Sequence, residues 1–511
     1  MTQKNLEFKV ILASRYFKVY PYTEAAKDLC REFQRRYMYK KYRDQNDTGP
    51  DQYMLFAIAL SDGSEFRYHR NTWLQFQDFL KIYSIKEDRY EVEVKALPEL
   101  KKRNFKLKTT KTPRDYQIPI VDYLKAEAPT TKFIGIQPGE GKTYTSLLGV
   151  AALGYRTIVI VNAGLMKQWG EAIYETLDIS KKSAVSVSGS KQLKGLIAMV
   201  GTKEYEKIDI ILLSNTTLQN WLSEHESMVT SKFRDIGYGI EPDEFYEHLG
   251  IGHRIIDEAH MKFNLNYKQD LYTNTYMCTS LSATLFTYDT DLDGYYQIAY
   301  PKHERYNGGE LKKYTDSIAV MWRTRRGRQL KTSERGRSTY SHTALEKCIM
   351  RDKQFLNGYA ELIAETLELG YFANYKPGNK AAVYVSSIEM ATYITKYLRQ
   401  KYPGKTVERY VGIDPEENLK KPDIRVTTLG SAGTGHDIPG LTDTILTVGI
   451  MSLQSNIQVF GRTRFIPDQN TRFYYFTCKN IEKHMRYHEL KIDLMEKRAK
   501  SFDIVHYNTE L

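Results

Sequence analysis

Two short strings in this chain hold residue types suited to phosphate chemistry. Gln137-Pro138-Gly139-Glu140-Gly141-Lys142-Thr143 sets two glycines before an amine and a hydroxyl. Gly139 and Gly141, with Pro138 and Glu140 around them, let backbone N–H groups turn inward on phosphate oxygens. Lys142 reaches terminal phosphates, and the Thr143 hydroxyl suits Mg²⁺. The strict form of this pattern has Gly or Ala where this chain has Ile136. The second string, Asp257-Glu258-Ala259-His260, places two carboxylates side by side. Asp257 is suited to hold Mg²⁺ through water and Glu258 to polarise an attacking water. Together they point to nucleoside triphosphate hydrolysis, with ATP and Mg²⁺ as cofactors.

Such groups need rigid elements behind them. The apolar run Phe133–Ile136 precedes the first string and a helical pattern, Tyr144–Ala152, follows it; Arg254-Ile255-Ile256 reads as a short buried strand ahead of Asp257. Both strings then sit at strand ends, where α/β sheets bind ligands. The 511 residues, 41% of them hydrophobic, suffice for three or four domains with substantial cores. No apolar stretch approaches bilayer length, and the N-terminal residues lack the apolar core of a signal peptide. Cys30, Cys278, Cys348 and Cys478 lie too far apart for paired zinc or disulfide spacing, so reduced thiols in a cytoplasmic protein are expected. A net charge of +12 favours a polyanionic partner.

Along the chain, residues 1–95 read as a small α+β unit. Thr23 and Thr72 are placed to cap two helices, and Tyr53–Leu60 with Glu65–His69 suggests a hairpin. The first helix pattern and its continuation carry Arg31, Arg35, Arg36, Lys40, Lys41 and Arg43, a candidate phosphate-contacting face. Residues 96–112 form a basic linker. Alternating strand and helix patterns then run over 113–290 and again over 380–480, as in parallel sheets with crossover helices. Between them, 291–379 is expected to hold a basic hairpin (Arg323, Arg325, Arg326, Arg328, Lys331, Arg335, Arg337) and a helix over Ala344–Leu369. Residues 481–511 are expected to form a C-terminal helix.

Further short motifs fall in order between Pro113 and Pro467. Gln117 lies upstream of the phosphate string. Asn162-Ala163-Gly164, Ser214-Asn215-Thr216-Thr217 and Ser282-Ala283-Thr284 follow apolar runs in the first series. Thr427-Thr428, Gly433-Thr434-Gly435-His436-Asp437 and Gln458-Val459-Phe460-Gly461-Arg462 do so in the second. Over this span the chain resembles a superfamily-two helicase. The resemblance implies two tandem RecA-like domains sharing one ATP site. It matches Gln117 to an adenine-reading glutamine, Lys142 and Thr143 to phosphate and Mg²⁺ ligands, and Asp257 and Glu258 to the metal and water-activating pair. Ser282 and Thr284 match the motif coupling hydrolysis to domain movement, Gly435 and Asp437 the ribose-side contacts, and Gln458 and Arg462 the motif completing the site. The usual second arginine of that last motif is replaced by Phe465, with Arg464 one place early. Asn162, Ala163, Thr216 and Thr217 match nucleic-acid contacts of the first domain, and Ser386 and Thr428 those of the second.

The N-terminal unit, the basic linker and the segment Lys347–Ala364 are similar in layout to the phage UvsW-type branch-migration helicases. That similarity implies a motor for forks, D-loops and Holliday junctions in replication, recombination and repair. It also implies a monomer in a bacterial host cytoplasm, with phage or host replication and recombination proteins as partners. Arg325, Arg326 and Arg328 then become candidate junction contacts. A duplex-DNA translocase subunit, an RNA helicase and a nucleic-acid-binding protein with an inactive ATP site remain open alternatives.

Overall fold

The computed structural model describes residues 6–42, 52–108, 111–136, 140–231, 237–282, 290–306, 313–334, 340–432 and 438–511. Apart from the short segments Asp44–Thr48 and Gln137–Glu140, the chain divides into two compact units between Gly309 and Glu310.

The first unit opens with strands Phe8–Leu12 (β1) and Tyr16–Pro21 (β2), then a ribbon of Tyr39–Tyr42 (β3) and Gln52–Leu55 (β4). Ile58–Ala59 (β5), Phe66–His69 (β6) and Tyr90–Val94 (β7) follow. The sheet order β5-β6-β2-β1-β7 is mixed, with β1 parallel to β7 and antiparallel to β2. Helices Glu24–Phe33 and Trp73–Ile82 cover it through an aromatic core in which Phe33 meets Phe76 and Phe79 at 5.0 and 5.3 Å between ring centroids. Thr23 caps as expected, its Oγ1 accepting from the Ala26 N–H at 3.1 Å. Thr72 sits at the start of its helix but donates to the His69 carbonyl instead, at 2.8 Å. The expected basic helical face is largely neutralised at home. Arg31 pairs with Asp28, while Arg35 and Arg36 both pair with Glu32. Lys40 and Lys41 belong to β3, and Arg43 lies outside the described residues.

The same unit then builds a wholly parallel sheet from Thr131–Gly135 (β8), Thr157–Val161 (β9), Ala184–Val187 (β10), Ile210–Ser214 (β11), His253–Ile256 (β12) and Met277–Ser282 (β13). Its order, β10-β11-β9-β12-β13-β8, brings the ends of β9 and β12 side by side. The inner strands β9, β11, β12 and β13 are buried throughout, as parallel strands covered by helices on both faces must be. The described residues of 96–112 do not hang free as a linker. Phe105 is buried, the Arg103 and Lys108 N–H groups bond to Gly154 and Thr176 carbonyls, and Lys111 pairs with Glu175. The domain also runs past 290, because helix Thr290–Ala299 packs Tyr296 on Phe263 and the Tyr306 N–H bonds to Phe133.

The mixed sheet is fixed to this parallel sheet by an ionic core. Arg15, 2% exposed, donates to Asp270 at 2.8 Å, Thr131 at 2.7 Å and the Ala299 carbonyl at 3.0 Å. Arg254 holds the other oxygen of Asp270. Phe56 stacks beside this core on Tyr295 at 3.8 Å.

The second unit is another parallel sheet: Thr315–Arg323 (β14), Lys380–Val385 (β15), Val407–Tyr410 (β16), Ile424–Thr428 (β17), Leu441–Leu446 (β18), Thr471–Cys478 (β19) and Ser501–Glu510 (β20). The order is β16-β17-β15-β18-β19-β14-β20. Along β15, Ala381, Val383 and Val385 enter one core and Ala382 and Tyr384 the other, so both faces are covered. These are the two RecA-like domains that the resemblance implied, with a small α+β domain ahead of them.

Three expectations need correction here. The connecting region does not stand apart, because β14 is an inner strand of the second sheet whose buried run Ile318–Trp322 is covered on both faces; of the basic hairpin the described residues show one antiparallel bridge, Ser333 to Tyr340, and Arg335 and Arg337 lie outside the described residues. A single helix over 344–369 is replaced by His342–Arg351 and Lys353–Leu367. Asp352 breaks them and caps the second by accepting from the Gln354 and Phe355 N–H groups. The C-terminal helix ends at Arg498, and the β-branched and aromatic residues after it form edge strand β20 against β14.

Candidate functional site

Gly141 has φ +82°, a conformation glycine adopts readily, and the next residue opens helix Lys142–Leu153. Lys142 and Thr143 therefore stand at a helix N-terminus, which favours anions. A Cβ at position 141 would lie 2.6 Å from Gln117 Nε2, so a side chain there would displace the Gln117 amide. Gln117 is buried, and its Oε1 accepts from the Arg114 N–H at 2.9 Å. Glu140 is half-buried. Pro138 and Gly139 lie outside the described residues.

Across from the helix start, Lys142 Nζ lies 2.5 Å from Glu258 Oε1. Asp257 accepts from the Trp169 indole N–H at 2.8 Å on one oxygen and from the Glu258 N–H at 2.9 Å on the other. Burial pushes the Asp257 carboxyl above its ordinary value, with Lys142 pulling it down and Glu258 raising it further. A divalent cation at this carboxylate would reverse that shift. Glu258 Oε2 is buried without a hydrogen bond, 3.4 Å from His260 Nδ1. A buried, orphaned carboxylate oxygen beside an amine, a helix N-terminus and a second carboxylate is a donor set that fits Mg²⁺-nucleotide.

Two residues that sequence reasoning left without a role complete the arrangement. Trp169 fixes Asp257 from the helix Met166–Thr176. His260 meets Ser282 Oγ at 2.6 Å, joining the carboxylate turn to the end of β13. Burial, then Lys142, holds the His260 imidazole down at about 4, so it is neutral at pH 7. The signal for His260 was its place in the string Asp257–His260. Thr284 lies outside the described residues.

The candidate nucleic-acid contacts of the first unit lie on one rim of its sheet, at the ends of β9 and β11. The Asn162 side chain accepts from the Gly164 N–H, with Ala163 exposed between them. Thr216 is exposed and accepts from Lys262 at 3.1 Å. Thr217 is turned inward, its hydroxyl accepting from the Gly189 N–H at 2.7 Å.

In the second unit, Ser386 follows β15 and bonds through its hydroxyl to Thr343 at 2.6 Å. Its N–H donates to Glu346 at 2.6 Å, and Ser387 donates twice to the same carboxyl. Thr428 ends β17 and shares a hydroxyl contact with Ser431 at 2.8 Å. Gln458 sits on helix Leu453–Phe460, Arg462 just beyond it close to Tyr384, and Arg464 is half-buried. Phe465 is 66% exposed. Gly435 and Asp437 lie outside the described residues. Arg325 and Arg326 are exposed, but Arg328 is committed elsewhere: it pairs with Asp352 at 2.5 Å and lies over Phe355.

Residues 110–287 match the family model described as type III restriction enzyme, res subunit. The chain carries a superfamily-two helicase domain. Such a domain belongs to a nucleic-acid helicase. Comparison with curated protein sequences finds no match. Among solved structures, S. cerevisiae Dbp5 bound to RNA and ADP BeF3 is similar at 14% identity and TM-score 0.48, over 78% of this chain and 90% of that one. The Pyrococcus furiosus Hef helicase domain is similar at 15% identity and TM-score 0.43, over 74% and 98%. T4 UvsW is similar at 12% identity and TM-score 0.35, over 98% and 100%. No helix among the described residues is long and apolar enough to cross a membrane.

Proposed function

We propose that this helicase-domain protein is an ATP-driven DNA helicase or translocase that acts on branched DNA in replication, recombination and repair. The observation that carries the motor reading is the contact of Lys142, at a helix N-terminus, with Glu258 of the carboxylate turn, a turn whose His260 meets Ser282 Oγ at the end of β13. When bound, Mg²⁺ with ATP supplies charge neutralisation on the terminal phosphates. Thr143 and Asp257 are placed to hold the ion. Lys142 exchanges Glu258 for a phosphate oxygen, which releases the Glu258 carboxylate to orient water. Gln117 and Gly141 line the nucleotide side, and the helicase resemblance assigns to Arg462, with Gln458, the stabilisation of charge developing on the transferred group.

Nucleic-acid phosphates are read by the rim of Asn162, Ala163 and Thr216 and by Ser386 and Thr428, a backbone-directed contact that is independent of sequence. The net charge of +12 and the exposed Arg325 and Arg326 support a polyanionic partner. The mixed N-terminal sheet, anchored through Arg15, is the part of the chain to which this reading assigns the second point of contact that a branched substrate would need. The test is ATP turnover and strand separation on fork, Holliday junction, D-loop, linear duplex and RNA. Turnover and unwinding are expected to be highest on forks and junctions; equal activity on RNA or on plain duplex would overturn the branched-DNA reading.

A further inference from the structure

The carboxylate turn does not end at His260. It begins at Glu258, with φ +51°, and closes at Lys262, also with φ +51°, the left-handed region that non-glycine residues seldom occupy. Between them the Met261 N–H returns to the Glu258 carbonyl at 2.7 Å. The buried Asn266 amide donates to both the Ala259 and Met261 carbonyls at 2.9 Å. The turn is thus a rigid bracket with Glu258 at one end and Lys262 at the other.

Lys262 is exposed, and its ammonium reaches across to the helix that follows β11. It donates to Thr216 Oγ1 at 3.1 Å and to Gln219 Oε1 at 2.9 Å. Both acceptors are neutral. The neighbouring Lys268, which bridges the same two helices, pairs with the Glu226 carboxylate at 2.7 Å. Among the described residues no carboxylate pairs with Lys262. An ammonium has three donors, so one remains after these two bonds. A non-glycine residue held in a left-handed conformation, with its charge delivered to neutral acceptors on an exposed rim, is arranged for an anion that arrives from outside.

We propose that Lys262 is a phosphate contact for the nucleic-acid strand on the Thr216 rim and, through the bracket, a positioning residue for Glu258. The proposal rests on the reading of that rim as a strand track. With a backbone phosphate beside Thr216, Lys262 shifts from its neutral acceptors to the phosphate, and the bracket transmits that shift to Glu258.

The test is strand-stimulated ATP turnover of the full chain, titrated with an unstructured oligothymidylate at several salt concentrations. Lys262→Gln keeps the chain length and removes the charge; Lys262→Arg restores it. For Lys262→Gln the half-saturating strand concentration is expected to rise about tenfold, and turnover at saturating strand to fall by less. The slope of log affinity against log salt should drop by about 0.7, the value for one single-strand phosphate. Lys262→Arg should recover both. An unchanged half-saturation and salt slope in Lys262→Gln, or an equal defect in both variants, would overturn the assignment. Absence of strand binding by the unmodified protein would instead overturn the motor reading, and Lys262 with it.

Discussion

Replacing Arg15 with methionine tests the junction between the N-terminal sheet and the first parallel sheet. Arg15 is buried and donates to Asp270, Thr131 and the Ala299 carbonyl, with Glu304 at 3.4 Å and His69 at 3.2 Å. Burial alone would raise the Asp270 carboxyl, but Arg15 and then Arg254 outweigh it and hold it well below the ordinary range. Methionine preserves most of the volume and removes the charge. Losing one partner of a buried ion pair costs about 3–5 kcal/mol, a large part of the stability of an ordinary domain. With urea slopes of about 1–3 kcal/mol/M, the unfolding midpoint of the first unit should drop by roughly 1–5 M.

His69 makes the loss depend on pH. Burial, opposed by the Asp270 bond and reinforced by Arg15, keeps its imidazole at about 4. Without Arg15, a protonated His69 beside Asp270 replaces the missing charge, so its folded value rises. A raised histidine stabilises fully below its unfolded value, about 6.5, and that contribution is lost as pH rises through the folded value. Arg15→Met should therefore be less damaging at pH 5 than at pH 8. The assay is urea unfolding of both proteins at the two pH values. A midpoint shift equivalent to under 1 kcal/mol at pH 8 would refute the reasoning.

Lys142→Ala and Glu258→Gln should each reduce ATP turnover by at least about a hundredfold while nucleic-acid binding persists; near-normal turnover in either would remove the assigned site. Arg462→Ala should lower turnover far more than ATP affinity, and Arg464→Ala should match it if Arg464 stands in for the arginine replaced by Phe465; the two variants are compared by turnover against nucleotide binding. Burial raises the Glu346 carboxyl to about 7, against the pull of its Ser386 and Ser387 bonds. A raised carboxyl gives stability that is full below its unfolded value, about 4.3, and lost as pH rises through the folded value. Between pH 4.5 and 8 the unmodified chain should therefore lose stability relative to Glu346→Gln by on the order of 3 kcal/mol, read by denaturant unfolding at each pH; parallel curves would contradict this.

Both parallel sheets, and the meeting of the Lys142 and Glu258 strings, were legible because each is a local pattern: an apolar run, then a polar residue at its end. The misplaced elements are those whose identity depends on distant partners. β14 and β19 pair from Thr315 to Thr471, and β20 pairs with β14 across most of the second unit. Neither pairing leaves a mark in the nearby sequence, so β14 read as part of a connector and β20 as the end of a helix. Charge was misleading for a related reason. Arg31, Arg35, Arg36 and Arg328 look like a nucleic-acid surface in a list of letters, yet their carboxylate partners consume them. Lys262 ranked no higher than other lysines until the neutral acceptors around it were visible. Arg15 and Asp270, 255 residues apart, could not be paired by any local rule.

That last pair changes what the N-terminal residues are for. Asp270 ends the helix Phe263–Asp270, which starts at the bracket carrying Glu258 and Lys262. Eight helical residues span about 12 Å, so Arg15 grips one end of a short rod whose other end meets the turn that carries Glu258. The mixed sheet is then part of the frame of the first motor domain, in addition to any role on branched DNA. Removing residues 1–95 would strip Arg15 from Asp270 and Phe56 from Tyr295, leaving a buried charge short of a partner and an apolar face uncovered. The truncated chain is expected to aggregate or to lose turnover on every substrate alike. A soluble truncation with full strand-stimulated turnover, defective only on junctions, would show that the sheet is a detachable recognition module and that the rod needs no grip from Arg15.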